Sequence, residues 1–214
     1  MKIKKMMAAV LAAVMTMSAA GSALAAAAPS PTKPSVDGYV DVNAQDHDGN
    51  VVTSEINQDE ATVVKAESTG EKGGKTVTFD VARNSKNENV PVTTVGSGKK
   101  GLFNSKKGRN ITKAIFDSTK NTTVKKLAFK GSKVKVVTVK GQKVTFSKDS
   151  FKGTKQKKIT LQVKTKKASS IKLKKGAFNG LTKVTVKGLS KKEYNKLLKA
   201  AKKAGIKTSL FKKG

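Results

Sequence analysis

The sequence predicts a β-rich solenoid, with coils of about 22–27 residues stacked between an N-terminal β cap or small β domain and a C-terminal capping helix. Three observations lead there. Phe103, Phe129, Phe151 and Phe178 stand 26, 22 and 27 residues apart, a period that belongs to stacked supersecondary units. Glycine follows the last three by two positions, at Gly131, Gly153 and Gly180, and an apolar residue precedes them by five, at Val124, Phe146 and Leu173. Between the phenylalanines run short stretches that alternate apolar and polar residues, as half-buried strands do.

The chain opens with a leader pattern: Met1 to Lys5 is basic, Met6 to Ala20 is apolar, and Ala23-Leu24-Ala25 is a small-residue cleavage site. Such a start marks export. Residues 1–25 are therefore expected to leave as a signal peptide, and residues 26–35, with "AAAPSPTKP", read as an extended linker. No later apolar stretch has the length of a membrane span, so no transmembrane segment is expected after removal. The sequence contains no cysteine. An exported fold must then be held by packing alone, without disulfides, thiolate metal sites or cysteine nucleophiles.

Charge divides what remains. Residues 36–92 hold eleven Asp and Glu against five Lys and Arg, a balance of −6, whereas residues 93–214 hold 36 basic residues against three acidic ones, a balance of +33. A domain-scale boundary is expected there. The acidic part contains the strand-like "EATVVKA" and "KTVTFDVA" and is assigned, over residues 36–92, to the N-terminal β cap or domain. Uncovered end coils would expose core and unpaired strand edges.

Residues 93–188 are read as the coils, with "ITK", "VTVK", "ITLQV" and "TKVTVK" as strands that turn Val137 and Val139, or Ile159 and Leu161, to one face. Counting eight residues from the first three phenylalanines makes Ile111, Val137 and Ile159 equivalent, with Val184 filling that place six after Phe178. "KVKVV", Lys133 to Val137, changes face midway and predicts a bend or bulge. A disordered basic tail would have no reason to keep this register. Residues 189–214 are the helical cap: Ser190 and Glu193 form a capping box, and Tyr194, Leu197, Leu198 and Ala201 form an apolar stripe before Gly205.

"NVPVTTVG" leading to "GLFN", then "AFKGS", "SFKGT" and "AFNGL", and the closing "LSKKEYNKLLKAAKKAGI" together resemble the BspA-type leucine-rich repeats of bacterial surface and secreted proteins, over residues 60–214. The resemblance implies a curved solenoid with one short parallel strand per coil, and a binding or adhesion role at a cell surface. Against the family pattern, Ser132, Thr154 and Leu181 stand three after the phenylalanines, where Cys or a small residue is common, and Gly98 takes an apolar position of the first coil.

Stacking the coils on the phenylalanine register aligns Thr112, Thr138, Thr160 and Thr185 in an outward column. On parallel strands about 4.8 Å apart they would form a threonine ladder, which is equally the ordinary preference of threonine for exposed strand positions. Lys140, Lys158, Lys183 and Lys187 flank it, with Gln162 and Asn110 adding polarity. These residues, Asn110 apart, are the candidate binding face. Its chemistry suits phosphates or carboxylates, with attraction that weakens in salt.

Specific reading of nucleic acid is not expected, because past the leader the chain has only Arg83 and Arg109, no Trp and few Tyr. The partner is instead a protein or an anionic polymer: a wall polymer, an acidic glycan or a host protein. Lysine also serves simply to keep repeat surfaces soluble and strand edges unpaired.

"AQDHDGNVVTSE" has carboxylates at calcium-loop spacing, with Asp46, Asp48 and Glu55 at positions three, five and twelve, but Ala44 takes position one. An Asp-Gly turn between strands accounts for it better. His47, the one histidine, sits in that turn as a solvated side chain and not in a triad. No catalytic, metal or cofactor site is expected. The function expected is a secreted or surface-associated binding or adhesion protein, non-covalently held; the alternative is a structural wall-associated protein retained by charge without a specific ligand.

Overall fold

The computed structural model describes residues 32–35, 38–45, 50–69 and 75–214. The leader and the Asp46-His47-Asp48-Gly49 stretch lie outside them. The described chain begins with four strands in antiparallel succession: β1 (Thr32–Ser35), β2 (Gly38–Gln45), β3 (Val51–Asn57) and β4 (Glu60–Glu67). β1 falls within the stretch read as an extended linker and pairs with β2. Proline lacks an N–H and is tolerated in an edge strand such as this one, which contains Pro34. Glu55, the twelfth position of the supposed calcium loop, stands exposed within β3.

Then follow β5 (Thr76–Phe79), β6 (Val81–Arg83), β7 (Asn89–Val95), β8 (Lys113–Phe116), β9 (Thr122–Val124), β10 (Val136–Val139), β11 (Val144–Phe146), β12 (Lys158–Val163), β13 (Ile171–Leu173), β14 (Lys183–Lys187), helix α1 (Lys191–Lys203) and β15 (Phe211–Lys213). They build two sheets. One has nine strands in the order β1-β2-β3-β4-β7-β9-β11-β13, with β6 beside β7; the other has six in the order β15-β14-β12-β10-β8-β5. From β4 to β13 the first sheet is parallel along its path, and the second is parallel throughout. From β7 to β14 the chain lays strands alternately in one sheet and the other. Each pass thus contributes two short strands, where the resemblance implied one.

The inner faces of the two sheets meet in a continuous apolar core. Val124, Phe146 and Leu173 pair in register and are buried, so the residues five before each phenylalanine do share one place. Opposite them, Val137, Leu161 and Val186 pair in register, and the Phe116 and Phe146 rings touch across the core at 6.1 Å. The expected equivalence of Val137 with Ile159 is corrected: Ile159 pairs with Val184, Val137 pairs with Leu161, and Ile111 is buried ahead of β8. A fixed count fails because the turn between phenylalanine and strand varies, with β8 starting ten residues after Phe103 and β10 seven after Phe129. At the predicted bend, the N–H groups of Lys135 and Val136 both donate to the Thr112 carbonyl, at 2.7 and 3.2 Å, and Val134 is buried between exposed lysines.

Phe129, Phe151 and Phe178 lie in turns that leave the nine-stranded sheet. Residues two before them, Leu127, Asp149 and Gly176, have φ of 61°, 61° and 68°, and Gly131, Gly153 and Gly180 two after have 76°, 77° and 99°. These left-handed positions favour glycine. Gly180 has a second reason, since a Cβ there would lie 2.7 Å from the Phe151 carbonyl oxygen. Successive turns bond directly: Leu127 N–H donates to Asp149 O and Asp149 N–H to Gly176 O, each at 3.0 Å. Ser132 and Thr154, three after their phenylalanines, are buried, and the Thr154 hydroxyl donates to Ser132 O at 3.2 Å.

Helix α1 begins at Ser190, whose hydroxyl accepts the Glu193 N–H at 3.2 Å. The Glu193 carboxylate accepts the Ala168 N–H at 2.8 Å and pairs with Lys196 at 2.6 Å, so it ties the helix to the short 3-10 turn before β13. Leu197 and Ala201 are buried, with Tyr194 and Leu198 partly buried against the core. The helix is not the final element. It packs beside β13 at the end of the nine-stranded sheet, while β15 extends the six-stranded sheet, placing Phe211 opposite Val184 and its ring 5.7 Å from Phe178. Lys212 and Lys213 on that edge strand are exposed, a pattern that discourages edge pairing.

Candidate functional site

The candidate face is the outer surface of the six-stranded sheet, and the structure assembles part of it. Lys158 faces Lys183, Thr160 faces Thr185, and Gln162 faces Lys187 across β12 and β14. Thr160, Gln162, Lys183 and Thr185 are half-buried; Lys158 and Lys187 are exposed. Those six residues form one polar, cationic patch.

The other three do not join it as expected. Thr138 pairs with Gln162, one column across from Thr160, whose partner on β10 is Val136. It is buried, and its hydroxyl has no hydrogen-bond partner. Thr112 precedes β8, with its hydroxyl 3.4 Å from the Lys75 carbonyl; Thr182 stands likewise before β14, 3.3 Å from the Lys157 carbonyl. The place opposite Thr160 and Thr185 is taken on β8 by Lys113, one residue past Thr112. Thr138 is shifted by the bend ahead of β10, and Thr112 by the 3-10 turn Gly108–Asn110 ahead of β8.

Lys140 lies beyond the end of β10, where it bonds the Asp117 carboxylate at 2.6 Å. That hydrogen bond, with the charges of Asp117 and Asp80, raises the Lys140 pKa above its usual value. One corner of the face thus supplies its own counterion. Lys140 and Lys187 are not neighbours: β12 separates β10 from β14, and Lys140 lies beyond the end of β10.

A threonine ladder does exist, on the other sheet. Thr62, Thr94, Thr123 and Thr145 pair in register along β4, β7, β9 and β11, all half-buried, and the column ends in Lys172 on β13. Its signal was in the sequence, since Thr123 and Thr145 each stand six before a phenylalanine. Thr94 stands nine before Phe103 because the first turn is longer, and Val95, not Gly98, fills the inward place opposite Val124.

The three carboxylates of residues 93–214 are all engaged. Asp117 holds Lys140, Asp149 accepts the Asn179 side-chain amide at 2.7 Å, and Glu193 holds Lys196 and the Ala168 N–H. An open depression of about 440 Å³ lies beside the last turn, between Phe178, Leu181, Ile206 and Leu210. Among the described residues no helix is long and apolar enough to cross a membrane. Compared with protein-family models, curated proteins and solved structures, the chain matches none.

Proposed function

We propose that the chain is an exported, non-enzymatic binding protein of the bacterial cell surface, built as a leucine-rich-repeat solenoid of the BspA type, that holds an anionic polymer or acidic protein on its lysine-rich coils. One observation carries this reading. With 36 basic residues against three acidic ones in residues 93–214, and all three carboxylates bonded within that stretch, a charge excess of 33 is not balanced there, and the −6 of residues 36–92 offsets only a small part of it. Lysines that neutralise a polyanion release its counterions, which drives association strongly at low salt. The alternation of parallel strands between two sheets and the matching turns at Phe129, Phe151 and Phe178 support the solenoid. The outward patch of Lys158, Lys183 and Lys187 with Thr160, Thr185 and Gln162 is the assigned contact face.

The test is a pull-down from wall and host-surface extracts at low salt and at about 0.15 M, where exposed charges more than about 8 Å apart are screened. Saturable retention of one acidic partner at the higher salt is expected. Loss of every ligand there, after indiscriminate capture at low salt, favours the structural alternative. Mass spectrometry of the secreted protein should show a start near Ala26; an intact Met1 in secreted material contradicts export by a cleaved leader.

A further inference from the structure

We propose that the ridge of turns bearing Lys126, Lys148 and Lys175 is a track for a linear acidic polysaccharide, each turn meeting one sulfate or carboxylate group. The proposal rests on the polyanion reading above and adds a surface to it, away from the sheet face. Each of the three lysines immediately precedes a residue of left-handed backbone, Leu127, Asp149 or Gly176. Those three residues are linked turn to turn by N–H to carbonyl bonds of 3.0 Å. The lysines therefore leave the chain at the same point of successive levels, about 4.8 Å apart in a parallel stack. All three are exposed.

Beside them run Lys130 and Lys152, one after their phenylalanines and both exposed. The Lys130 side chain extends along the stack, since a Cβ on Gly153 of the next turn would lie 3.2 Å from its Cγ. The ridge thus presents exposed lysines at the same place on successive turns. Its carboxylate, Asp149, is buried and bonded to Asn179. None of these five lysines makes an ion pair among the described residues, whereas Lys140 on the sheet face is held by Asp117.

Exposed lysines repeated turn by turn match a polymer that carries about one anionic group per monomer and advances about one level per sugar. It suits nucleic acid poorly. A duplex presents phosphates on two strands, and single strands are held by aromatic side chains stacked on the bases. All eight phenylalanines are buried here.

Heparin is the probe, titrated at about 50 and 200 mM salt against the wild type and two variants of equal charge. One is Lys126→Gln, Lys148→Gln and Lys175→Gln; the other is Lys192→Gln, Lys199→Gln and Lys203→Gln, exposed on helix α1. The ridge variant should lose about tenfold or more in affinity, and its slope of log K against log salt should fall by about 2, near the −0.7 per contact of a single-stranded polyanion. The helix variant should stay within about threefold of wild type, a difference worth less than the tenfold step of 1.4 kcal/mol. Thermal melts check that both fold, and the single change Lys148→Glu should weaken heparin binding on its own. Equal losses in both triple variants, or a larger loss from the helix, overturn the ridge. Heparin held no better than duplex DNA overturns the polysaccharide. A wild type that binds neither at low salt removes the polyanion reading itself.

Discussion

The Phe129 and Phe151 rings stack nearly parallel, 4.3 Å between centroids and 4° between planes. Both are buried, and the file continues to Phe103 at 5.7 Å and Phe178 at 5.3 Å. Phe129 N–H also donates to Ser150 O at 3.0 Å, so rings and backbone fix the same stacking. Truncating a buried phenylalanine to alanine removes about 3–5 kcal/mol. Phe129→Ala, Phe151→Ala and Phe178→Ala should each lower the melting temperature substantially, and Phe129 with Phe151 should show coupling in a double-mutant cycle. Additive effects of the pair would deny that the contact matters.

Gly180 should resist substitution. Alanine there meets both a φ of 99° and a carbonyl oxygen at 2.7 Å, and a strained backbone of this kind costs about 1–3 kcal/mol. Denaturant unfolding of Gly180→Ala should show that loss. By comparison Gly98→Ala, with φ of 78° but no atom within 4 Å of the new Cβ, should suffer from backbone strain alone and lose less.

Helix α1 should loosen in acid. The Glu193 pKa is lowered, first by the hydrogen bond from Lys196 and then by that from the Ala168 N–H. A carboxylate depressed on folding contributes stability that is fully present above its unfolded pKa, about 4.3, and lost as pH falls through the folded value. Helical circular dichroism should therefore decline below about pH 4, and Glu193→Gln should remove that part of the acid dependence while being less stable at neutral pH. An identical acid limb in the variant would show that the tie to Ala168 carries no weight.

Like charges face each other at Lys158 and Lys183. Direct cross-strand repulsion is worth a few tenths to about 1 kcal/mol. Lys158→Gln should raise the melting temperature in low salt, with the gain fading as salt is added. Lys140→Gln should bring no such gain, because it removes the partner of Asp117. Equal gains from both would mean that net charge alone decides.

The core was legible where the signal is local. Val124, Phe146 and Leu173 stand at a constant distance from their phenylalanines because the turn between them is short and of one geometry, fixed by the left-handed residues on either side of the ring. The outer face was not legible in the same way. Between Phe103 and β8 the chain adds the 3-10 turn Gly108–Asn110, and ahead of β10 it bends so that two N–H groups share the Thr112 carbonyl. Each change shifts the outward residues without disturbing the core, so Thr112 and Thr138 left the column while Thr160 and Thr185 stayed. The ion pair of Lys140 with Asp117 joins residues 23 apart, a separation that only the stacking of passes can supply. The lysines three before each phenylalanine were visible as a period, but their exposure and lack of partners required the turns to be placed in space.

Melting the wild type in low salt, in high salt, and in low salt with heparin decides whether the folded lysine-rich turns bind a polyanion. A ligand that binds only the folded form raises the melting temperature by linkage, by about 2.7 kcal/mol of stability at a hundredfold excess over its dissociation constant. Salt relieves the lysine repulsion by screening. Both additions should stabilise the protein, heparin more than an equal ionic strength of simple salt. A melt that heparin lowers or leaves unchanged would contradict that binding.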